Sequence, residues 1–189
     1  MKTSRLEAFS DGVLAIIITI MVLQLSAPTK TDIHALLAKT PTFLSYIFSF
    51  IYVGIYWNNH HHLFQITQKV NGKILWANSH LLFWLSLVPF TTAWIGENYD
   101  AKLPVIAYGV VLLFCAIAYF ILQYVIIKSH DIEFPLRKVV GSDRKGKISI
   151  GCYILGIDCS FLNTWLGIAF YVIVAIMWLI PDKRIEENL

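Results

Sequence analysis

Of the 189 residues, 57% are hydrophobic and only 14% charged, whereas ordinary soluble domains carry roughly a quarter charged residues. That balance excludes a soluble fold and places the chain in a lipid bilayer. The net charge of +3 comes from basic residues between apolar stretches and gives no sign of a nucleic-acid partner, and without a Gly-rich phosphate loop, a GxSxG turn or an intramembrane carboxylate pair the chain reads as non-enzymatic.

A spanning helix needs about 20 mostly apolar residues. The first candidate span, 5–27, opens RLEAFSDGVLAIIITIMVLQL. It is not expected to be a cleaved signal peptide, because acidic residues precede an apolar run at the upper limit of length for one. At about 100° per residue, Ile16, Thr19, Ile20, Leu23 and Ala27 share one face, with Gly12 at its end, and Asp11 points about 140° away from Ile16. Aliphatic residues at this spacing ordinarily face a core or lipid. A carboxylate inside a span is costly and usually faces the bundle interior. Asp11, with Ser10 beside it, is therefore expected to anchor the helix by hydrogen bonds to other helices; the alternative places it among the headgroups, favouring the helix N-terminus through its dipole.

The second span, 41–64, ends in WNNHHHLF. Three consecutive imidazoles fan out by about 100° each and cannot jointly hold one ion. The third span, 73–96, carries Asn78, Ser79 and His80 near its start. These lie at the depth of Asp11, Asn58, His60 and His61, so a satisfied polar network across three helices is expected. Pro89, deep in the third span, should kink the helix or free a carbonyl, whereas Pro28, Pro41, Pro104 and Pro181 fall at predicted boundaries. The fourth span covers 103–128. The stretch 129–147 reads as a cytoplasmic linker with a short interfacial helix. The fifth span, 147–162, is short and carries Asp158, and the sixth covers 163–181. Trp94 and Trp165 suit an interfacial belt, and the three cysteines, all within spans, do not suggest disulfides.

Lys and Arg concentrate in cytoplasmic loops. Six spans put 12 of the 15 basic residues on the side of both termini and leave Lys30, Lys39 and Lys102 opposite. Omitting the fifth span would move Lys183 and Arg184 across and weaken the split to 10 and 5. The expectation is one all-α domain: a polytopic six-helix bundle in the inner (plasma) membrane, with N- and C-termini cytoplasmic.

The segment RLEAFSDGVLAI resembles the first transmembrane segment of the transmembrane protein 175 family of potassium channels, whose Arg-x-x-x-Phe-Ser-Asp motif falls here on Arg5, Phe9, Ser10 and Asp11. The YW..HHHLF ending of the second span and the Asn, His and Pro of the third are also similar. The resemblance implies a channel without a TVGYG filter, first helices lining the pore, and a constriction five residues after the aspartate, at Ile16, with Thr19, Ile20 and Leu23 on the same face. It also implies four copies of a single-repeat chain around one axis, potassium as the transported ion, no cofactor, and no partners beyond the chain itself and the bilayer. The competing readings are a secondary transporter, a membrane haem or metal protein using His60 to His62 and His80, and a scaffold without transport activity. A transporter would favour an ionisable site at mid-membrane and an inverted repeat, and this chain keeps its charges near the ends of its spans.

Overall fold

A computed structural model describes residues 3–130 and 144–179. Among these residues the chain forms eight α-helices and no strand: α1 (Thr3–Leu23), α2 (Ile33–Leu37), α3 (Thr40–Ile66), α4 (Gly72–Ser86), α5 (Val88–Glu97), α6 (Lys102–Lys128), α7 (Arg144–Ser160) and α8 (Thr164–Leu179). The interfacial helix expected in the 129–147 linker falls mainly on residues outside the described ones, as does Pro181.

Three segments, α1, α4 with α5, and α6, are each long and apolar enough to cross a membrane, and α8 is a shorter apolar helix. The helix of the first predicted span stops at Leu23, so Ala27 does not continue the Ile16 face. Pro28 lies just beyond and disfavours helical backbone in the residue before it. The third predicted span is two helices. Leu87 caps the C-terminus of α4 and the N-terminus of α5, and Pro89 occupies the first turn of α5, where its missing N–H is harmless. The helix α2 was not anticipated; Asp32 caps it by accepting from Ala35 N at 2.8 Å. α7 is already helical at Arg144, the first described residue after the linker and three residues before the predicted span; Arg and Lys are good helix formers whose stems lie along apolar surface while their heads reach water.

The central helix is α6. Its residues Val105, Tyr108, Leu112, Cys115, Ala118, Leu122 and Ile126 are all nearly inaccessible, spaced three and four apart as a buried helical stripe requires. It contacts α4 and α5 on one side and the α7–α8 hairpin on the other, while α3 bridges α1, α5 and α8. Small residues set the close crossings. A Cβ on Gly109 would run into the Tyr171 ring, and one on Gly167 into Ser160 Oγ and the Gly156 carbonyl. Hydroxyls tie the helices where apolar contact leaves them polar: Thr92 donates to Ser49 at 2.7 Å, Ser49 and Tyr108 share a bond of 2.8 Å, and Tyr52 donates to the Tyr171 carbonyl. All three cysteines are free thiols.

Candidate functional site: the exposed face of the first helix

The helix α1 sits at one side of the bundle, against α3, α4 and α5. In its apolar stretch 28% of residues are buried, against 50% for α4 with α5 and for α6. The buried stripe is Leu6, Ser10, Leu14, Ile17 and Met21, which at 100° per residue spans less than a quarter of the circumference. Nearly the whole opposite half is exposed, including Ile16 (60%), Ile20 (42%) and Leu23 (78%). Thr19 lies on that half as well; its hydroxyl donates to the Ala15 carbonyl at 2.8 Å. That bond uses the proton inside the helix and leaves the oxygen lone pairs outward.

The exposed half has two parts. Phe9, Ile16, Ile20 and Leu23 make an aliphatic and aromatic edge, and Arg5 lies on the same edge near the start of the helix. Beside it Ser4, Ala8, Gly12 and Ala15 form an exposed ridge of small residues, the surface that lets another helix approach closely in a membrane. A Cβ at Gly12 would meet nothing within 4 Å in the protomer.

On the buried side the network expected from the sequence has three members. Ser10 donates to the Leu6 carbonyl at 2.9 Å and accepts from Asn78 Nδ2 at 3.0 Å. Asn78 Oδ1 lies 2.7 Å from His60 Nε2. Because Oδ1 only accepts, His60 carries its proton on Nε2. All three side chains are essentially inaccessible, so every partner matters.

Asp11 departs from the expectation of a buried anchor. It is exposed on the protomer and accepts from Trp57 Nε1 of α3 at 3.0 Å. One residue beyond Ser10, it is rotated about 100° off the buried stripe and reaches only the flank of α3. Arg5 is not its partner, since six residues place the two about 120° apart around the helix. Trp57, absent from the sequence-level candidates, stacks on His61 with ring centroids 6.0 Å apart.

The other candidates separate. His61 pairs with Gln65 at 2.8 Å, and exposed His80 accepts from Trp84 at 3.0 Å. Asn58 is half-buried and makes no bond to the Ser10–Asn78–His60 chain, and His62 Nδ1 is buried without a partner. Among the described residues no group of three or more His, Cys, Asp or Glu is placed to hold a metal ion. Among the described residues His60 to His62 and His80 do not form such a group, since His61 bonds Gln65 and His80 bonds Trp84.

Comparison with known proteins bears on this architecture. The family described as endosomal/lysosomal potassium channel TMEM175 matches residues 5–89. A Chryseobacterium protein named as a potassium channel is 58% identical over 189 residues, covering 100% of this chain and 98% of its own length. Another, from Chamaesiphon minutus and also named as a potassium channel, is 28% identical, covering 93% of this chain and 92% of its own. The crystal structure of a lysosomal potassium-selective channel TMEM175 homolog from Chamaesiphon minutus matches with a TM-score of 0.82 at 27% identity, covering 94% of this chain and 96% of that one. With a full-length relative at this identity, the same helical fold and the Arg5, Phe9, Ser10 and Asp11 motif in its first helix, this multi-pass membrane protein belongs to the TMEM175 family.

Proposed function

We propose that the protein is a potassium-conducting channel of the inner membrane, in which four copies set the exposed face of α1 around a common axis. The observation that carries this reading is the division of α1: a narrow stripe holds it to its own protomer, and half its circumference is left for other copies and for the conduit. The small-residue ridge lets adjacent α1 helices pack closely, and the edge with Ile16, Ile20 and Leu23, with Thr19 beside it, lines the axis. The relatives named as potassium channels supply the ion.

The sequence has no TVGYG loop, so the carbonyl filter of ordinary potassium channels is not the mechanism. Four Ile16 side chains meeting on the axis, backed by Ile20 and Leu23, form a hydrophobic neck. It closes by expelling water and opens by a small widening or rotation of α1. Discrimination arises because sodium holds its hydration water more tightly than potassium, so stripping it at the neck costs more. Thr19 offsets part of that cost through its outward lone pairs.

The Ser10–Asn78–His60 chain and the Asp11–Trp57 bond fix the rotation of α1, and so fix which residues reach the axis. Six crossings put both termini in the cytoplasm and keep Lys and Arg concentrated there. The test is flux from liposomes holding the purified chain, under a potassium and then a sodium gradient, with mass measurement of the assembly. Faster potassium flux from a four-chain species is expected. An inserted, folded protein without flux returns the exposed face to ordinary lipid contact.

A further inference from the structure

A cavity of 40 Å³ lies between α3, α6, α7 and α8, with no residue of α1 in its lining; Tyr56, Tyr119, Gln123, Ser149, Tyr153 and Trp178 are among the residues around it. Gln123 is only 6% exposed, yet its side-chain oxygen Oε1 has no hydrogen-bond partner. A buried carbonyl without a donor is an uncommon and costly defect in a folded protein. It is costlier among apolar helices, where the lining offers aromatic rings and few donors.

Four of the donors around the cavity are committed elsewhere. Tyr119 gives its proton to the Asn59 carbonyl at 3.1 Å, Tyr153 to the Tyr52 hydroxyl at 3.3 Å, Ser149 to the Lys145 carbonyl at 2.8 Å, and Trp178 to Ser149 Oγ at 2.8 Å. What Gln123 Oε1 lacks is one donor within reach. A water needs about 10 to 15 Å³ of such volume and two to four polar partners, so the space takes two or three waters or one short alcohol. It is far smaller than the roughly 150 Å³ apolar cavity that stays dry and takes benzene.

We propose that this cavity is a binding site for a small hydroxyl compound whose O–H is accepted by Gln123 Oε1, either water or the hydroxyl of a short primary alcohol. The aromatic walls suit the methyl end of an alcohol, and the oxygens of Tyr153 and Ser149 accept from a second water. The site is separate from the ion-conduction reading and stands or falls without it.

The test is hydroxyl-radical footprinting of the full chain in nanodiscs, pulsed at short times after mixing into ¹⁸O-water, with mass spectrometry of the labelled tyrosines. Slowly exchanging cavity water leaves ¹⁶O on Tyr119 or Tyr153. The expected result is retained ¹⁶O in the unaltered chain and at least tenfold less in Gln123→Leu. A fall in the ¹⁶O share of the tyrosine label on adding ethanol, but not on adding an equal concentration of the non-donor dimethyl ether, shows that the site accepts an alcohol; the share is unaffected by radicals that the additive itself consumes. Retention unchanged by ethanol overturns the alcohol source and leaves water. Immediate ¹⁸O labelling throughout, or the same retention in Gln123→Leu, overturns the site itself; the ethanol arm uses the unaltered protein, so poor folding of the variant does not remove the test.

Discussion

Replacing Asn78 by leucine keeps roughly the side-chain volume and removes both bonds of the buried chain: the one it gives to Ser10 and the one it accepts from His60. Side-chain hydrogen bonds between membrane helices average about 0.6 kcal/mol each, which gives about 1.2 kcal/mol for the two. The His60 Nε2 proton is then stranded in a side chain only 2% exposed, a defect that costs about 1 to 3 kcal/mol. Because the unfolded chain in a membrane also finds partners, the low end applies. The expected loss is about 2 kcal/mol, close to thirtyfold in the folding equilibrium. His60→Phe should cost a similar amount, since it orphans Asn78 Oδ1 while keeping a ring beside Phe64, whose centroid lies 4.5 Å from that of His60. The double variant leaves no orphan, because Ser10 still donates to Leu6. It should therefore cost about 1 kcal/mol, the two lost bonds alone, rather than the sum of about 4, a coupling of about 3 kcal/mol at the upper end for contacting residues. Chemical unfolding in mixed micelles, followed by circular dichroism, measures this cycle. Additive losses, within about 0.5 kcal/mol, would refute the Asn78–His60 bond as a link of the buried chain.

Asp11→Ala removes the acceptor for Trp57 on an exposed flank; the four-chain fraction in native mass spectrometry should fall while the potassium to sodium flux ratio stays put, and the reverse pattern would place Asp11 in the conduit. Thr19→Val, which keeps the shape and deletes the outward oxygen, should lower the potassium to sodium ratio several-fold with total flux retained. Gly167→Ala drives a Cβ into Ser160 and the Gly156 carbonyl, so the melting temperature should drop in line with a loss of about 1 to 3 kcal/mol. Gly54→Ala, with nothing within 4 Å, should be neutral or gain up to about 1 kcal/mol from helix propensity.

The sequence made the helical bundle legible because uncharged runs and prolines at their ends carry most of that information. Pro89 marked a real break, since a missing N–H has to fall where a helix begins. The wheel of α1 separated Asp11 from Ile16 but did not show which half faces the protomer, because Ile17 and Ile16 are chemically the same and only the neighbouring helices distinguish them. Depth along the spans brought Ser10, Asn78 and His60 to one level. Rotation decided which polar groups meet, and it excluded His80 and Asn58. Trp57 was hidden because a tryptophan near a span end reads as interfacial, and α2 because five residues show no helical period. Gln123, a single amide in an apolar helix, signalled nothing until its neighbours were placed.

The central claim is that Ile16 narrows a conduit formed by α1. Its most direct measurement compares potassium and sodium flux from liposomes containing the unaltered chain with flux from Ile16→Asn, a change at an exposed position that spares the protomer's core. The account predicts that the polar side chain wets the neck, so that flux rises and the preference for potassium weakens. Unchanged rates and unchanged preference, in a protein equally well inserted and assembled, would contradict it.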